Sequence, residues 1–135
     1  MRPVSEQSLE LASRSYAAWS SGDLETWLST LDEDVEFRTS GIFPGLEPVY
    51  HGHEGMRKFW EDFRSPWESL RIVIDHIREN GDQIVALYRF EAVGRDGLKV
   101  HREAANRITL RDGLAKRIEA HGSWETALEA AGLRE

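Results

Sequence analysis

Four titratable side chains in the last third of the chain could move a proton: His101, Glu103, Glu119 and His121. Within each pair the residues stand two apart, and on an extended chain such residues share a face. If the two segments are neighbouring strands, an imidazole meets a carboxylate, the minimum for general acid–base chemistry near neutral pH. His53 is a further proton carrier, in the segment Tyr50-His51-Gly52-His53-Glu54-Gly55. His53, Glu103 and His121 are therefore the candidate catalytic groups. Other chemistries lack their residues. Without Cys there is no thiolate nucleophile, thiolate metal site or disulfide. No His-Glu-x-x-His spacing occurs, so no metal is expected. No Gly-rich loop follows a strand in nucleotide-binding form, so no cofactor is expected.

Whether the His/Glu groups meet a substrate depends on one turn, Arg111-Asp112-Gly113. A three-residue turn pairs Asn106 with Ile118 and brings Glu103 near His121. The interior then holds Ala104, Asn106, Ile108, Leu110, Ile118 and Ala120, and the His/Glu cluster faces outward as an interface or solvent-facing network. A two-residue turn pairs Asn106 with Glu119 instead and carries acids inside, since a one-residue slip flips every side chain. The three-residue turn is preferred, because it sets Leu110 beside Leu114 and keeps the interior mostly apolar.

The elements that position these groups are legible in the spacing. Ser5 caps a first helix, with Glu6 favourable in its opening turn. Leu9, Ala12, Tyr16 and Trp19 recur at helical spacing, and Gly22 ends the helix. Asp23 starts a second helix striped by Leu24, Trp27, Leu28 and Leu31. A short strand runs from Val35 to Arg38. A loop with Gly41, Pro44, Gly45, Pro48 and Gly52 follows. The third helix starts near Glu54, carries Met56, Phe59, Trp60 and Phe63, and closes at Pro66. Then come strands from Leu70, from Gln83 to Val93, from Leu98 to Leu110 and from Leu114 to His121. Asn80-Gly81 and Gly94 to Gly97 turn the chain between them. Ser123 caps a last short helix with Trp124, Ala127, Leu128 and Ala131 on one side.

Helices on one face of an antiparallel meander make the fold α+β. On the strand from Gln83 to Val93, Val85 and Leu87 are apolar opposite Ile84, Ala86 and Tyr88. The helices cover one face only, so a second subunit is expected on the other, and the chain is expected to be a homodimer.

The 135 residues fit one domain, 1–135, and 40% are hydrophobic. A net charge of −7 disfavours nucleic acid and anionic membrane surfaces as partners. No apolar leader or membrane-length window is visible, so the expected location is the cytoplasm. Five Trp, five Phe and three Tyr are many for this length. Tyr16, Trp19, Trp27, Phe59, Trp60, Phe63 and Trp67 lie at helical spacing, where some can line a hollow rather than fill it.

Three segments carry a resemblance to a known family. Gly22-Asp23-Leu24 joins the first two helices. Tyr50-His51-Gly52-His53-Glu54-Gly55-Met56 leads into the third. Ala127-Leu128-Glu129-Ala130-Ala131-Gly132-Leu133 closes the chain. Together they resemble the SnoaL-like branch of the nuclear-transport-factor-2 (NTF2-like) superfamily. The resemblance implies a cone of helices packed on a curved, mainly antiparallel sheet, a cystatin-like roll.

It implies no single activity, because this fold hosts isomerases, cyclases, hydrolases and binding proteins. Ketosteroid isomerases use a base Asp after the first strand, with a Tyr and a protonated Asp as oxyanion hole. Those positions fall on Thr39, on Ser15 with Tyr16 one residue out of register, and on Asn106. A one-residue slip turns a helical side chain by roughly 100°. The Arg-x-Asp of the epoxide hydrolases reads Arg102-Glu103-Ala104 here, and no spacing marks a cyclase base.

Two functions stay open: cofactor-free acid–base chemistry on a small hydrophobic molecule, and a non-catalytic ligand-binding or dimerisation module. In both, the expected pocket has Trp60 and Phe63 from the third helix and Phe37 and Thr39 at the first strand. Tyr88, Phe90 and Ile108 come from the meander. Tyr16 is at the rim, Tyr50 at the mouth and Asn106 on the floor.

Overall fold

The computed structural model describes residues 5–43 and 45–133; Pro44, one of the loop residues named above, lies outside the described residues. Helix α1 (Glu6–Ser21) begins where Ser5 accepts from the Ser8 amide and ends at Gly22, whose φ is 77°. Leu9 departs from the expected stripe at 46% exposed, and Leu11 turns inward instead. Helix α2 (Leu24–Ser29) is capped by the Asp23 carboxylate, which accepts from the Thr26 amide. Leu31 does not extend α2 but opens strand β1 (Leu31–Arg38).

The expected loop contains a short strand, β2 (Val49–His51), which pairs antiparallel with β1. Helix α3 (Gly52–Arg64) then starts earlier than Glu54. Its two glycines have separate causes. Gly52 has a φ of +71°, a conformation L side chains resist. A Cβ on Gly55 would stand 3.2 Å from the Tyr50 carbonyl carbon, so a side chain there would push the helix and β2 slightly apart.

Strands β3 (Trp67–Asn80), β4 (Gln83–Gly94), β5 (Lys99–Arg111) and β6 (Leu114–His121) form the meander. Trp67, grouped above with the helical aromatics, lies on β3. Helix α4 (Trp124–Ala130) is capped by Ser123. The six strands are ordered β2-β1-β6-β5-β4-β3. All neighbours are antiparallel except β1 and β6, which are parallel. Helix α1 packs on β3 and α3 on β1 and β2, so these helices rest on one face of the curved α+β sheet, whereas α4 packs on β4, β5 and β6.

The deciding turn differs from expectation, yet the facing does not. Arg111 pairs with Leu114, leaving a two-residue loop. Its residues Asp112 and Gly113 have φ of 52° and 79°, the pattern of a type I′ hairpin. Leu110 therefore pairs with Ala115 rather than lying beside Leu114. The ladder then jumps, and Thr109 pairs with Arg117. Lys116 is an extra residue, a β-bulge that restores the parity the short turn removed. Asn106 consequently pairs with Ala120, two positions beyond the expected Ile118 and on the same face. His121 lies opposite Ala105, so it is offset by two residues from Glu103 on the same face rather than directly opposite it, and Glu103 pairs with Arg89 on its other side.

The apolar outer face of β4 also has a different explanation. Val85 and Ala105 are fully buried under Ala127, Leu128 and Ala131 of the α4 region, with Leu87 packed beside them. The chain covers this patch with its own last helix, so the patch does not call for a second subunit. Among the described residues, no helix is long and apolar enough to cross a membrane.

Candidate functional site

A cavity of about 50 Å³ lies between the helices and the inner face of the sheet. From α1 it is bordered by Ser15, Tyr16 and Trp19, from α2 by Trp27, and from α3 by Phe59 and Phe63. The sheet contributes Phe37, Ile72, Tyr88, Asn106, Ile108, Ile118 and Ala120, with Thr39 just past β1. Phe43 and Leu46 close it from the loop between β1 and β2. The free space suits a few waters; pockets for larger organic ligands run from about 300 Å³. A ligand must therefore displace side chains, and of the bulky apolar wall residues Phe43 and Leu46 lie outside helix and strand.

The polar feature of the wall is a pair. Asn106, only 8% exposed, donates from Nδ2 to the Tyr16 hydroxyl at 2.8 Å. Its Oδ1 is buried and has no hydrogen-bond partner among the described residues. Burial pushes the Tyr16 phenol far above its ordinary range, with only partial relief from the Asn106 bond. Tyr88, whose ring centroid is 5.6 Å from that of Tyr16, is raised likewise by burial and then by Tyr16. Both phenols stay protonated at any working pH. Because Asn106 donates into the Tyr16 oxygen, the Tyr16 proton is left to be donated elsewhere. Ser15 and Tyr16 both border the cavity, so the one-residue slip does not turn Tyr16 away. The Thr39 hydroxyl is already engaged, donating to the Glu47 carbonyl at 2.7 Å.

Three residues expected on the wall lie off it. Tyr50 packs its ring on Phe59; its hydroxyl donates to Asp62 at 2.8 Å and accepts from the Glu47 amide at 3.0 Å. That ties the loop to α3, a structural task. Trp60 spends its ring on Trp19, 4.2 Å away, and on the Arg64 guanidinium at 4.9 Å. Phe90 sits beyond the cavity along β4, against Phe63, Phe43 and Trp67.

The candidate proton carriers are not brought together. His53 lies in the first turn of α3, its Nε2 3.1 Å from the Leu31 carbonyl, where it joins the helix to the start of β1. Glu103 is exposed on the outer face. His121 is on that face too, its Nε2 3.4 Å from Glu119. Glu119 centres a charged network, 2.8 Å from Arg107 and 3.4 Å from Arg117. Burial alone would raise its carboxyl, but the Arg107 bond and the charges of Arg107 and Arg117 hold it below the usual range. None of these groups borders the cavity, and no described residue that does is Asp, Glu, His or Lys.

Trp19, Trp27 and Phe59, which sequence reasoning set among the aromatics able to line a hollow but did not assign to the pocket, are wall residues. It also missed Phe43 and Leu46. The signal for the last two was available: they are bulky apolar residues in a segment otherwise made of turn formers.

The helices over a curved sheet, the Gly-x-x-Gly start of α3 and the cavity between them describe one class of fold, and the sequence specifies it further. The chain belongs to the SnoaL-like family, matching the SnoaL-like domain over residues 12–118. Among solved structures it is similar to TerC co-crystallised with polyporic acid, at 25% identity and TM-score 0.79, over 94% of this chain and 99% of that one. It is also similar to an NTF2-like protein of unknown function from Burkholderia pseudomallei K96243, at 24% identity and TM-score 0.80, over 96% and 98%. Bal32a, from a soil-derived mobile gene cassette, shares the fold at 22% identity and TM-score 0.77, over 86% and 88%. No curated protein matches the sequence.

Proposed function

We propose that the chain binds a small hydrophobic molecule between its helices and sheet, and that Tyr16 donates a hydrogen bond to an oxygen of that molecule. The observation that carries this is the Asn106–Tyr16 pair in a mostly apolar wall: Asn106 donates to the Tyr16 oxygen, which leaves the Tyr16 proton free for an acceptor. Buried polar groups cost stability unless they are satisfied, so an incompletely satisfied pair at a cavity is a place for a ligand's polar atom. The similarity to TerC, which was co-crystallised with polyporic acid, supports an organic ligand of this kind. A carbonyl held by Tyr16 would be polarised, and a buried donor stabilises developing negative charge on oxygen better than water does. That suits cofactor-free isomerase or cyclase chemistry.

Among the described residues, no carboxylate or imidazole lies on the wall, which favours the other reading, a binding protein without turnover, in which Tyr16 and Asn106 only orient the ligand. We place the protein in the cytoplasm as a homodimer that uses the outer sheet face beyond α4, where Val73 and Val93 are half-buried.

A matched pair of probes tests the binding reading. Tetralone has the carbonyl and tetralin lacks it. Tetralone is expected to bind the wild type more tightly, and Tyr16→Phe to remove the difference. Equal binding of the two by the wild type rejects the assignment of Tyr16.

A further inference from the structure

We infer that the ligand is an anion, and that Arg102 selects it by pairing with its acidic group. The inference rests on the binding reading above and adds the charge class of the ligand. Arg102 lies on the inner face of β5, opposite Phe90 and four positions before Asn106. Among the residues paired on this face from β3 to β6, it is the only cation. Its guanidinium donates to the Ile42 carbonyl at 2.5 Å and lies 4.9 Å from the centre of the Phe43 ring. No carboxylate pairs with it among the described residues. A guanidinium offers five N–H donors in a planar fork that fits a carboxylate with two parallel bonds. One backbone carbonyl and one ring satisfy that fork poorly.

Both groups that hold Arg102 belong to the loop that must yield when a ligand arrives. Phe43 borders the cavity, and Ile42 precedes it. Displacing this segment enlarges the cavity and strips Arg102 of its partners in the same motion. A neutral ligand leaves the cation unpaired. An anionic one replaces what the loop took away, with the stronger bond of a charged acceptor. Residues 102 and 106 are about 13 Å apart along the strand at ~3.3 Å per residue, so Arg102 and Tyr16 can hold the two ends of one elongated molecule.

The test compares tetralone, a tetralone carboxylate and the methyl ester of that carboxylate by calorimetry. Wild type is expected to prefer the carboxylate to the ester by roughly tenfold, in line with a charge-assisted bond. Arg102→Gln should bring the carboxylate-to-ester ratio to about one, whatever it does to tetralone affinity through the loosened loop; Arg102→Lys should retain part of the ratio. Wild type that binds tetralone without preferring the carboxylate overturns this inference alone. Wild type that binds none of the three overturns the binding reading, and this one with it. A ratio that survives in Arg102→Gln also overturns it. If Arg102→Gln does not fold, Arg102→Lys decides: it keeps the charge without the fork, and an undiminished ratio rejects the role of the guanidinium.

Discussion

Asn106 and Tyr16 stand 90 positions apart in the chain and 2.8 Å apart in space, and each supplies the other's hydrogen-bond partner. Their energies should therefore be coupled. Tyr16→Phe strands the Asn106 amide in the core, and Asn106→Leu strands the Tyr16 hydroxyl; each is expected to cost about 1–3 kcal/mol. The double variant leaves no orphan and should cost less than the sum of the two. Urea unfolding of the four proteins measures this, and simple additivity contradicts it.

The two glycines at the start of α3 should fail for different reasons. Gly52→Val meets an unfavourable φ and is expected to cost about 1–3 kcal/mol. Gly55→Ala keeps ordinary backbone angles but pushes on the Tyr50 carbonyl carbon, 3.2 Å from the new methyl. It should shift β2 and weaken the Tyr50 bonds to Asp62 and Glu47. Unchanged melting temperatures for both variants would refute this account of the motif.

The bulge at Lys116 makes a deletion harmless at one site and harmful at another. Removing Lys116 lets Arg117 follow Ala115 directly, and every observed pairing from Arg111 to Ala105 can persist as a regular ladder. Removing Glu119 places Ile118 beside Ala120, and both cannot face inward. The first variant is expected to fold with nearly unchanged midpoint and the second to unfold or aggregate. The reverse order in a denaturation series would show that the bulge does not set the facing.

Acid stability should depend on Glu119. Its carboxyl is lower in the fold than the ordinary value of 4.5. The unfolded chain thus takes up this proton first as pH falls. Its contribution is fully present above about pH 4.5 and is lost as pH drops toward the depressed folded value. Glu119→Gln is expected to be less stable than wild type at neutral pH and to converge with it in acid. Parallel stability curves down to pH 3 would rule out this origin.

The fold was largely readable because its signals are local. Ser5, Asp23 and Ser123 cap the helices as their types require, and period-two alternation marks β4 and β5. The site was harder to read because it depends on parity across a turn. Asp112 takes a positive φ that favours a shorter loop than expected, and Lys116 compensates for it. Nothing in the residue type of a single Lys marks a bulge, so the right face followed from the wrong partner. Tyr50, Trp60 and Phe90 show a second limit. Their apolar character is plain, but which neighbour takes up each ring is a tertiary matter.

The parallel seam between β1 and β6 bears on the order in which the molecule assembles. Its partners, Glu36 with Arg117 and Phe37 with Ile118, are some eighty positions apart. The meander can zip through its tight hairpins, whereas this seam must close a long loop before any contact rewards it. Phe37 and Ile118 both border the cavity. The cavity therefore comes into being with a late step, and a half-folded chain has nowhere to hold a guest. A guest bound there spans the seam and clamps it shut, so its presence should lengthen the lifetime of the native state without hastening its formation.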